Sequence, residues 1–61
     1  MTNLTSKELS SITDQLNLEN NLVAKYRVFA SQTDDAVLKD KFNCIAQKHK
    51  AHYDALYALI Q

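Results

Sequence analysis

Glycine and proline are both missing from this 61-residue sequence. Tight β-turns, phosphate-cradling loops and catalytic loops lean on those two residues, so their absence argues for helices joined by one short turn. Cysteine is nearly missing as well. Cys44 stands alone, which excludes an internal disulfide and suits a reducing cytoplasm. No sign of charge dominates: seven acidic and seven basic residues cancel, so the chain lacks the basic face that nucleic acid or an anionic membrane surface recruits. No apolar run approaches the roughly 18 residues that span a bilayer, and the polar N-terminal residues do not read as a signal peptide. What remains is an apolar fraction of 46%, which excludes disorder as the default and predicts a globular fold. At this length residues 1–61 make one small domain, near the lower limit for folding without a disulfide or a metal.

Two helical seams organise the chain. On the first lie Leu9, Ile12, Leu16, Glu19, Val23, Tyr26 and Ala30, spaced alternately by 3 and 4 residues. The second carries Leu38, Phe42, Ile45, His49, His52, Leu56 and Leu59, spaced alternately by 4 and 3. Residues 1–4 read as a lead-in. Thr5-Ser6-Lys7-Glu8 then matches a capping box, with Leu4 and Leu9 placed as a hydrophobic staple around it. Gln32-Thr33-Asp34-Asp35 is the one credible break, and Thr33 or Asp34 can cap the second helix. The expected fold is all-α: an antiparallel helical hairpin with helices at about 6–31 and 35–60 and a turn at about 32–34.

Each stripe is wider than a hairpin uses. Gln15, Leu22 and Phe29 widen the first seam, and Lys39, Ala46, Tyr53 and Ile60 widen the second. Two antiparallel helices touch along one line, which two positions per heptad would serve, and these stripes take about three. Leu22, Phe29, Tyr53 and Ile60 would stay wet in a lone hairpin. Burying such a side chain is worth roughly 1.5–3 kcal/mol. The surplus predicts a homodimer, a four-helix bundle closed about a two-fold axis.

The seams carry a carboxylate and two imidazoles where leucine would serve. Glu19 on the first and His49 and His52 on the second fall within about two turns of one height, all directed at the shared axis. With the turn centred near Thr33, Glu19 is level with Gln47 and faces the gap between Ile45 and His49. A buried carboxylate without a partner is costly, so Glu19 has to be paired or neutral. One reading has His49 bond to Glu19 and set helix register, as buried polar residues do in coiled coils. The other makes all three ligands of a divalent metal, with Gln15 or Tyr53 as a partner for the second ring nitrogen of His52. Residue types and spacing leave both readings open.

Three stretches carry a resemblance: Leu4-Thr5-Ser6-Lys7-Glu8-Leu9; Glu19 followed by Leu22-Val23-Ala24-Lys25-Tyr26; and Ile45-Ala46-Gln47-Lys48-His49-Lys50-Ala51-His52-Tyr53. Together they resemble the small ferritin-like proteins of spore-forming bacteria related to spore coat protein F. The resemblance implies half of a ferritin-like four-helix bundle, completed by homodimerisation, and a place among spore-associated proteins. Di-iron members of such bundles use one Glu from a helix and Glu-x-x-His from its partner. Glu19 matches the single Glu and His52 the His, while His49 stands where the second Glu belongs. One carboxylate per chain in place of two argues against ferroxidase chemistry. The imidazole-rich set suits zinc or another late divalent ion, with iron as the family alternative.

No other constellation carries chemistry. Cys44 has no histidine placed to activate it and reads as a small filler, and Ser-His-Asp, Walker and dinucleotide motifs are absent. The chain leaves little room for a substrate pocket and no loop long enough for a lid, so no catalytic residue is assigned. The expected function is a bundle protein with a divalent-metal site, zinc or iron, and a second copy as its partner. The alternative is a purely structural protein whose Glu and His set register.

Overall fold

A computed structural model describes residues 3–61 and has two helices, α1 (Ser6–Gln32) and α2 (Ala36–Ala58), folded into an antiparallel hairpin. There is no strand among the described residues. The first two residues of the expected lead-in lie outside them.

The capping box forms as the sequence predicts. The Thr5 hydroxyl accepts from the Glu8 amide at 3.0 Å, and the Glu8 carboxylate accepts from the Thr5 amide at 3.0 Å. Leu4 lies in an open apolar recess of about 490 Å³ lined also by Ile12 and Leu59, while Leu9 stays exposed. The turn differs by a residue from expectation. Asp35, not Thr33 or Asp34, caps α2: its Oδ1 accepts from the amides of Val37 at 2.9 Å and Leu38 at 3.1 Å. Thr33 instead ends α1, donating its amide to the Phe29 carbonyl at 3.2 Å, and its hydroxyl accepts from the Asp35 amide. Both Thr33 and Asp35 adopt extended backbone, and no described residue has positive φ. The chain therefore reverses without the left-handed residue that would call for glycine. At the far end α2 stops at Ala58, two residues short of expectation. There the amides of Leu59 and Ile60 bond back three residues, to Leu56 and Tyr57, and tighten the last turn.

The seam of α1 packs largely as read: Leu16, Glu19, Val23 and Ala30 are buried, Ile12 and Tyr26 half-buried. On α2 the contact line is rotated. Phe42, Ile45, Ala46, His49, Tyr53, Leu56 and Ile60 are covered, with Ala46 only 1% exposed, whereas Leu38, His52 and Leu59 are exposed. Apart from Ile45, the covered set repeats at 4 and 3 as cleanly as the expected one. Ala46 decides between them, because its small side chain lets the two backbones approach. The exposed large apolar side chains of α2 and its C-cap are thus Val37, Leu38, Tyr57 and Leu59, while Tyr53 and Ile60 are half-buried. Toward the turn, Tyr26, Phe29 and Phe42 form an aromatic cluster with ring centroids 5.5–6.1 Å apart. The core remains thin: no large side chain is fully buried among the described residues.

Candidate metal centre

The hairpin brings Glu19, His49 and His52 together. The turn centres on Asp34, with Glu19 fifteen residues before it and His49 fifteen after, so these two are level. A centre at Thr33 would have set Glu19 opposite Gln47; the shift of one residue moves the pairing by two.

Glu19 is 5% exposed, near the middle of α1. Its Oε2 lies 2.9 Å from Nδ1 of His49 and 3.4 Å from Nδ1 of His52, so both imidazoles turn the same nitrogen toward one oxygen. Its Oε1 accepts from the side-chain amide of Gln15, one turn earlier on α1, at 3.2 Å. No buried side-chain polar atom among the described residues lacks a partner. The His49 bond holds the Glu19 carboxyl below its ordinary value of 4.5. Burial works the other way, and the Gln15 bond and the charges of His49 and His52 add to the lowering.

The three donor atoms lie within 4.8 Å of one another, a group that could hold a metal ion. Metal–donor bonds of roughly 2.0–2.2 Å in tetrahedral geometry put donors about 3.3–3.6 Å apart. The 3.4 Å approach already has that spacing, and the 2.9 Å pair would need to open by about half an ångström to admit an ion. One carboxylate and two imidazoles suit zinc and its neighbours better than calcium or magnesium, which take oxygen donors.

Of the two residues considered as partners for His52, neither takes that part. Gln15 bonds Glu19 instead. Tyr53 stacks on Tyr57 at 6.1 Å with the Lys50 ammonium 5.6 Å from its ring centre. The residue that sequence reasoning missed is Tyr26, whose ring lies parallel to His49 at 6.0 Å and 13°. Its signal was its place on the seam one heptad after Glu19. Cys44 is exposed and free, away from the group.

Gln15 and His52 meet the Glu19 carboxylate from α1 and α2 respectively, and both are exposed. Heptad steps set Leu22 and Phe29 beside Gln15, and Leu38, Ile45 and Leu59 beside His52. Of these, Phe29, Leu38 and Leu59 are exposed and Leu22 and Ile45 half-buried. No described helix is long and apolar enough to cross a membrane. Compared with known proteins, the chain matches no family model, no curated protein and no solved structure.

Proposed function

We propose that this chain is a small ferritin-like, spore-coat-related bundle protein that binds a divalent metal ion through Glu19, His49 and His52, and that two copies pair through exposed apolar side chains. The observation that carries the metal reading is the convergence of three donor atoms from two helices within 4.8 Å. Two imidazoles and one carboxylate hold zinc in some proteins and iron(II) in others, so the donor set admits either ion. Kinship with the ferritin-like and spore-coat proteins rests on the sequence resemblance alone. What supports pairing is the thin core and the exposure of Phe29, Leu38 and Leu59.

A second reading has a specific observation behind it. His49 and Glu19 bond each other directly at 2.9 Å, which is what a register-setting pair requires. Thermal unfolding with zinc, with iron(II) and with chelator separates the two. An ion bound only by the folded protein at one hundred times its Kd adds about 2.7 kcal/mol. In a domain of this size that is a Tm rise of roughly 10–20 °C. The expected result is a rise of that order with zinc, lost on chelation and lost in His52→Ala. A Tm indifferent to metal and chelator, with His52→Ala binding as much zinc as the parent, leaves only the register role.

A further inference from the structure

The way Glu19 divides its two oxygens determines how an ion would be held. Oε1 is taken by the Gln15 amide at 3.2 Å, from within α1. Oε2 alone faces the imidazoles of α2, at 2.9 Å and 3.4 Å. We propose that Gln15 is a positioning residue that restricts Glu19 to ligation through one oxygen, so that the ion keeps a fourth position for an exchangeable small ligand, water or a small inorganic anion. This rests on the divalent-metal reading above.

Were Oε1 free, it would swing toward the ion and occupy that position itself. Closed structural sites use four protein donors, while sites with three, including sets of two histidines and a glutamate, leave the fourth to solvent. The surroundings say where the opening lies. Tyr26 stacks flat on His49 and closes the side toward the turn. His52 and Gln15 stand on the opposite flank, the His52 side chain 62% exposed and Gln15 exposed as well. In the single hairpin these two border the way in. One carboxylate and two neutral imidazoles leave a divalent ion with a net charge of about +1, which favours an anion over a neutral or cationic ligand.

Cobalt(II) is the probe, because its visible d–d absorption reports coordination number. The protein is loaded with cobalt alone and titrated with azide. The expected result is an intense four-coordinate spectrum that changes saturably with azide. Gln15→Leu should bind cobalt about 10–100-fold more weakly and lose band intensity as Oε1 joins the coordination sphere, with an azide response at least about tenfold weaker. Gln15 is exposed, so leucine should leave the helix intact; circular dichroism checks this, and Gln15→Ala serves if the leucine variant is unfolded. A cobalt spectrum indifferent to azide overturns the open position, whether a protein atom or a second copy closes the sphere. An unchanged azide response in the Gln15 variants overturns the role of Gln15. Failure to bind cobalt at all overturns the metal reading itself.

Discussion

The Glu19 carboxylate ties the stability of the hairpin to pH. Its carboxyl is held below 4.5 in the folded chain, chiefly by the bond to His49. A group whose folded pKa is depressed contributes stability above its unfolded pKa, and that contribution disappears as pH falls through the lowered folded value. Without metal, the parent should therefore lose stability on acidification below the ordinary glutamate range, and Glu19→Gln should flatten that part of the profile. Thermal unfolding between about pH 6 and pH 3 in the presence of chelator measures it. A profile identical in the two proteins would show that Glu19 is not the titrating group. Metal adds a second dependence. An imidazole must be unprotonated to ligate, so zinc affinity should fall on acidification. Zinc titrations at neutral and acidic pH test it, and a flat response would exclude histidine ligation.

Helix ends decide the register that makes the site. Asp35 accepts two backbone amides at the start of α2, and Asp34 caps nothing in the hairpin. Asp35→Ala should cost about 1 kcal/mol, whereas Asp34→Ala should stay within about 0.5 kcal/mol of the parent. For a domain this small that difference is a Tm drop of roughly 4–8 °C for the first variant only. Equal effects of the two would move the cap. Sequence signals at the two ends differed in strength, and that explains the one-residue error. At the start of α1 a threonine and a glutamate three apart leave one solution. At the turn, Thr33, Asp34 and Asp35 are all competent caps. The choice depended on which spacing let both helices pack.

For the whole molecule, the hairpin measures 46 × 15 × 11 Å between Cα extremes, long and thin. Its broad side offers on the order of the 800 Å² per partner that a stable protein–protein interface buries. Sedimentation at micromolar concentration should give about twice the 6.9 kDa chain mass. Phe29→Lys should shift the protein toward monomer, because it sets a charge on the face proposed to pair. A stable monomer in the parent, with Phe29→Lys indistinguishable from it, would refute the pairing. Leu16→Ala is expected to be severe on either account. Leu16 is buried in a core with few other large side chains, and such a truncation costs about 2–5 kcal/mol.

Much of the hairpin could be read from the chain alone. Absent glycine and proline, two seams of 3.5-residue period and a capping box at Thr5 dictate two helices, and local physics suffices because each signal spans only a turn or two. The same periods put Glu19 and His49 on inward positions before any packing was known. Tertiary structure alone settled three matters. It set the height of the helices against each other, which placed Glu19 level with His49 rather than with Gln47. It rotated α2 toward its smallest covered residue, Ala46, and left Leu38, His52 and Leu59 facing outward. It also handed Gln15 to Glu19 and stacked Tyr26 on His49. A helical period defines a stripe to within about 100° of arc, the angle of one residue, whereas contacts of 3 Å depend on rotation and rise finer than that. Such contacts form only when two particular surfaces fit together.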